Sequence, residues 1–119
     1  MVYLLPFCYN IMEFYLNGIN WKIKFVSSKS NDLKREDGSI TLGVCDNNIK
    51  CIYLSNSLKG YLLERVFIHE LTHAWIFSYN FYLTLEEEEF ICEFVSLYSR
   101  DILKTADSLI SECAFRICM

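Results

Sequence analysis

A chain of 119 residues has room for a single domain, residues 1–119, and it can build a core because 53% of it is apolar and 16% aromatic. That composition excludes a disordered chain, and a net charge of −4 from 11 basic and 15 acidic residues excludes a broad cationic surface for nucleic acid. The apolar runs are short, with Pro6 breaking the longest one near the N-terminus, so no membrane span is expected where roughly 20 residues would be needed.

In chain order, residues 1–11 carry neither a basic stretch nor a small-residue cleavage site, and they read as an extension rather than a signal peptide. The strand pattern begins at Met12. Asn17-Gly18 is a hairpin signal, because a type I′ turn needs positive φ at both central positions. It separates strands at residues 13–16 and 21–26. In the second, Trp21, Ile23 and Phe25 face one way while Lys22 and Lys24 face the other. Residues 27–39 are polar and read as a loop. Ile40, Leu42 and Val44 alternate again, Asp46-Asn47-Asn48 supplies a turn, and residues 49–54 form a further strand. The first half is thus expected to be a small antiparallel sheet of three or four strands.

From Gly60 the pattern becomes helical. Leu62, Leu63, Val66, Phe67, Leu71, Ala74 and Trp75 recur at three- and four-residue spacing, which predicts an amphipathic helix ending near Tyr79-Asn80. A second helix opens at Thr84, an N-cap whose capping box is completed by Glu87, with an acidic first turn suited to the positive end of the dipole. It can run through Phe94, Tyr98 and Ile102 as far as Ile117. The fold class is α+β, strands first and helices after. None of the six cysteines (Cys8, Cys45, Cys51, Cys92, Cys113, Cys118) forms a C-x-x-C pair, which argues against a cysteine zinc knuckle. With no export signal, buried reduced thiols and a cytoplasmic, reducing compartment are expected.

The first helix contains the chain's only histidines, in the sequence His69-Glu70-Leu71-Thr72-His73. Residues four apart lie about 40° apart around a helix and one turn along it. Both imidazoles can therefore reach one Zn²⁺ ion at about 2.0–2.1 Å. Glu70 is offset from both, in position to take a proton from the attacking water as general base. Short motifs do occur by chance, but this one is helical by independent periodicity and follows a sheet.

A catalytic zinc site needs a third protein ligand and one open position. With no further histidine, that ligand is a carboxylate or a thiolate. Glu86, Glu89 and Glu93 fall on one flank of the second helix's apolar face. Glu86, Glu87 and Glu88 read as a solvated cluster at the helix start. Glu89 and Glu93 sit deeper, interleaved with Phe90, Ile91 and Phe94, where an unpaired carboxylate would be costly.

Strands, then His69-Glu70-x-x-His73, then Glu89-x-x-Cys92-Glu93-x-x-Ser96 on the next helix resemble the ImmA/IrrE-type zinc metallopeptidases. That wider group takes in SprT-like proteins and zinc-peptidase domains of small phage proteins. The resemblance covers about residues 13–103 and rests on the two helical motifs. The hairpin around Asn17-Gly18 and residues 42–46 are similar to the phage members but less diagnostic. It implies a minimal zincin-like, gluzincin-type domain with one zinc per chain and Glu89 as the third ligand. The family's Asn or Asp that orients a ligand histidine falls at Glu93, whose longer side chain leaves open support of a histidine, shared ligation or an exchange of roles with Glu89. Cys92 falls where the family has a small residue, and a nucleophilic thiol is not expected there.

The expected activity is that of an HExxH zinc metallo-endopeptidase with Glu70 as general base. Its substrate would be a protein or peptide, such as a regulatory protein in a phage or mobile-element setting, and a separate partner chain would supply recognition. Tyr79, Tyr82 and Tyr98 lie near the site in sequence as oxyanion donors, although core packing suits each of them better. Residues 49–54 are a candidate edge strand for the substrate, and an ordinary buried strand fits them equally well. The competing reading is a zinc-stabilised, catalytically inert protein-binding module.

Overall fold

A computed structural model describes residues 11–118. The extension expected at residues 1–11, with Cys8, lies outside the described residues apart from Ile11, which begins the first strand. The elements run β1 (Ile11–Leu16), β2 (Ile19–Val26), β3 (Gly43–Asp46), β4 (Cys51–Ser55), α1 (Gly60–Ser78) and α2 (Leu85–Cys118), with a 3-10 turn at Asn31–Leu33. This is an α+β fold.

The Asn17-Gly18 hairpin forms as the sequence predicts. Both residues take positive φ, 51° and 77°, and β1 and β2 pair antiparallel from Leu16↔Ile19 to Ile11↔Lys24. The turn is tied to the rest of the fold, because the Asn17 side-chain amide donates to the Ser78 carbonyl at the end of α1. On β2, Trp21 and Ile23 are buried as the alternation requires. The Trp21 indole donates to Ser78 Oγ at 2.8 Å, so the buried N–H has its partner. Leu16, Trp21, Ile23, Ile52, Leu54, Leu58 and Ala74 form the core, with Leu63, Val66, Phe67, Leu71 and Phe77 of α1 packed on it.

The sheet is mixed rather than antiparallel. Its order is β1-β2-β4-β3, and β2 pairs with β4 in parallel, from Lys22↔Cys51 to Val26↔Ser55. Each hairpin is locally antiparallel, as its turn dictates. The chain between β2 and β4 is long enough to return to the starting end of β2, the crossover a parallel pair requires. β4 is therefore interior, and residues 49–54 cannot take up a substrate strand. Among the described residues, the free edge beside α1 is β3.

The third strand also begins later than the alternation at Ile40 suggested. Ile40 makes only an isolated bridge to Lys34, closing a small loop in which Arg35 N donates to the Ser39 carbonyl and Gly38 N to the Arg35 carbonyl. Ile40 and Leu42 are exposed, while Leu33 of the 3-10 turn is buried against β3 and β4.

Both helix boundaries follow local chemistry. Asn80 adopts φ 57°, and the bonds Phe81 N to Ile76 O and Asn80 N to Phe77 O close α1 in a Schellman arrangement. Thr84 N donates to Glu87 Oε1 and Glu87 N to Thr84 Oγ1, the reciprocal capping box that opens α2. α2 packs against α1 only over its first half, and residues 107–116 are exposed throughout. Of the cysteines with described side chains, Cys45, Cys51, Cys92 and Cys113 are free thiols, and Cys113 is exposed rather than buried. Among the described residues, no helix is long and apolar enough to cross a membrane.

Candidate metal centre

α1 turns His69 and His73 toward α2, and their rings meet edge-on with centroids 5.1 Å apart. Across the helix interface the Glu89 carboxylate spans the pair. Its Oε1 lies 3.0 Å from His73 Nε2 and its Oε2 lies 3.4 Å from His69 Nε2. Glu93 stands one turn further along. It accepts a hydrogen bond of 2.8 Å from Arg65 and one of 3.1 Å from Ser96 Oγ, and its Oε1 is 3.9 Å from His69 Nδ1. The structure thus brings His69, His73 and Glu89 together through the Nε2 atoms and sets Glu93 behind His69.

Glu88 departs from the expected solvated cluster. Glu86 and Glu87 are exposed, but the Glu88 side chain is only 13% exposed and its Oε2 lies 2.5 Å from His73 Nδ1. A carboxylate there accepts the Nδ1 proton and leaves the Nε2 lone pair facing Glu89. The expectation failed because the face of α2 toward α1 is not the aromatic one. Phe90, Phe94 and Tyr98 pack against one another with tilted rings on the outer side, with Phe90 70% exposed. The buried seam runs instead through Cys92 and Ser96, small residues one turn apart that let the helices approach closely. Glu88, Glu89 and Glu93 flank that seam. The spacing of those two small residues was the signal available in the sequence.

Cys92 is fully buried, and its Sγ and one ring nitrogen of each histidine all lie within 4.8 Å of one another. This group could hold a metal ion. Imidazole, carboxylate and thiol donors in one place suit a borderline divalent ion and not a hard one such as Mg²⁺ or Ca²⁺.

The Glu70 side chain lies against β3 at Gly43, 7% exposed, and shares a cavity with both histidines. Gly43 makes that possible. A Cβ at position 43 would stand 2.8 Å from Val66 Cγ1 and 2.9 Å from Glu70 Cγ, so the strand can pass this close only without a side chain. Gly43→Ala is expected to cost about 1–3 kcal/mol of stability through overpacking, read as a lower urea midpoint. An unchanged midpoint would mean that β3 does not press on Glu70.

Burial is the main influence on Glu70 and pushes its carboxyl up to about 7, with Glu89 adding to the rise while His73 and Arg35 oppose it. A cation bound beside it would draw that value back down. His69 is held below its ordinary value by burial and then by His73, against the pull of Glu89 and Glu93. Burial works upward on Glu93, but hydrogen bonds from Arg65 and Ser96 and the nearby His69 outweigh it. Burial pushes the Cys92 and Cys45 thiols up, helped most by Glu89 for Cys92 and by Glu70 for Cys45.

Two cavities meet over His69 and Glu70. One, of about 360 Å³, is bounded by Ile40, Leu42, Leu62 and Arg65, and the other, of about 250 Å³, by Val44, Cys45, Phe77 and Glu88. Arg35, Gly43, His69 and Glu70 line both, so the two form one cleft running along the β3 edge. Tyr79, Tyr82 and Tyr98 line neither. Arg35 does, and among the described residues it has no carboxylate within salt-bridge distance. Sequence reading missed it because it sits in the irregular 34–40 loop, where no periodicity marks which way a side chain faces.

Comparison of the chain with protein-family models, curated proteins and solved structures gives no match.

Proposed function

We propose that this protein is a zinc-dependent metallo-endopeptidase of the HExxH type, similar to the ImmA/IrrE group, working in a reducing compartment that keeps its thiols free. The observation that carries this reading is the convergence of the His69 and His73 Nε2 atoms on the Glu89 carboxylate, with Glu70 buried beside them at the floor of a cleft.

In this reading His69, His73 and Glu89 hold one zinc ion, Glu88 supports His73 from behind, and Glu93, bonded to Arg65 and Ser96, adds negative charge beside His69. Zinc bound there would supply Lewis-acid polarisation of the scissile carbonyl and acidify the attacking water. Glu70 takes the proton from that water and passes it to the leaving amine. Its burial favours the first step, since a desolvated carboxylate binds a proton more readily than one in water. Arg35, facing Glu70 across both parts of the cleft, is the donor placed to stabilise negative charge developing on the carbonyl oxygen. The substrate lies extended along the free β3 edge, borrowing its main-chain hydrogen bonds.

Elemental analysis of protein purified under reducing conditions without chelator tests the site. One zinc per chain is expected, held more weakly in Glu89→Ala. A folded chain that takes up no metal when zinc is added back would overturn the proposal and leave His69 and His73 as ordinary helix residues.

A further inference from the structure

Glu89 and Cys92 are three residues apart on α2, so both project toward the same stretch of α1. Glu89 reaches the two Nε2 atoms at 3.0 and 3.4 Å, and the Cys92 sulfur lies within 4.8 Å of a ring nitrogen of each histidine. A tetrahedral ion bonded to nitrogen at about 2.0–2.1 Å and to sulfur at about 2.3 Å spans a triangle with edges of about 3.3–3.6 Å, so His69, His73 and Cys92 reach it by closing up to about 1.2 Å. Cys92 has no exposed surface. A sulfur in that position meets the ion from the protein side of the site rather than from the cleft.

Resting on the zinc reading above, we propose that Cys92 is itself a metal donor, and that His69, His73, Glu89 and Cys92 together form a closed four-donor site in the reduced, substrate-free protein. Sites with four protein donors are closed, whereas hydrolytic sites keep one position for water or substrate. The reduced protein is therefore latent. As the sulfur–metal bond forms, the thiol proton leaves to solvent, and the thiolate and the Glu89 carboxylate together balance the charge of a divalent ion. Opening the site requires Cys92 to leave the ion while the other three donors stay.

Cobalt(II) in place of zinc reports this directly. The full chain, reduced and loaded with cobalt(II), is expected to show the visible d–d bands of a four-coordinate ion together with a near-ultraviolet sulfur-to-cobalt charge-transfer band. Cys92→Ser should keep the visible bands and lose the near-ultraviolet one, with its far-ultraviolet circular dichroism unchanged, and Cys45→Ser should keep both. Visible bands without charge transfer in the wild-type chain would overturn the four-donor site while leaving the metal site standing. A charge-transfer band removed by Cys45→Ser rather than by Cys92→Ser would overturn it too. Absence of any cobalt band would remove the metal site and this proposal together.

Discussion

Replacing Glu70 with Gln in a Cys92→Ser background, where the site is open, should leave metal content and fold intact and reduce peptide hydrolysis by about 10²–10⁴-fold, the usual contribution of a positioned general base. The geometry separates the two effects. Glu70 sits against Gly43 and Val66 rather than between the histidines, so an isosteric amide fills the same space and removes no ligand. An amide cannot accept the water's proton. It also cannot carry the charge that burial makes costly, so the variant is expected to be at least as stable as the parent when metal-free. Turnover of a fluorogenic peptide library, with zinc content measured on the same samples, checks this. Hydrolysis that survives Glu70→Gln would shift the reading to the zinc-stabilised binding module, in which Glu70 has no chemical task.

The parts of this molecule legible in the sequence are those fixed by short-range chemistry. Asn17-Gly18 can enter a tight hairpin whatever surrounds it, and Thr84 with Glu87 caps a helix using only their own backbone groups. The spacing of His69 and His73 puts both rings on one face of any helix. What was hidden depends on partners far away in the chain. Nothing within residues 51–54 reveals that they lie between two strands, since the parallel register with β2 is set by where the 27–42 segment returns.

Glu88 shows the same limit inside one helix. Read by hydrophobicity, α2 faces the core with Phe90 and Phe94, and Glu88 points to water. The helix instead turns its small residues, Cys92 and Ser96, to α1, because bulky rings would hold the two helices too far apart for Glu89 to reach the histidines. The aromatic stripe is left outside, and Glu88 lands on His73. Arg35 and Gly43 were legible as residues but not as parts of a site, since both act by where a loop and an edge strand pass over α1.

Metal should stabilise the fold strongly, because its proposed ligands sit on both helices. Without an ion, Glu88, Glu89 and Glu93 crowd around two imidazoles. An ion held by His69, His73 and Glu89 would relieve that crowding and tie α2, through its first turns, to the α1 helix that packs on the sheet. A ligand that binds only the folded state adds about 2.7 kcal/mol when present at a hundred times its Kd. For a domain of this size that corresponds to a rise in Tm on the order of 10 °C. Thermal unfolding followed by circular dichroism, with zinc and then with chelator, measures it. The rise should vanish in His73→Ala, which loses one Nε2 donor and strands Glu88 without a partner for its buried oxygen. That variant should melt below even the chelated wild-type protein. Equal melting of the wild-type chain with zinc and with chelator would mean that no ion bridges the helices, and α1 and α2 would then be held by the Cys92–Ser96 seam and its flanking ion pairs alone.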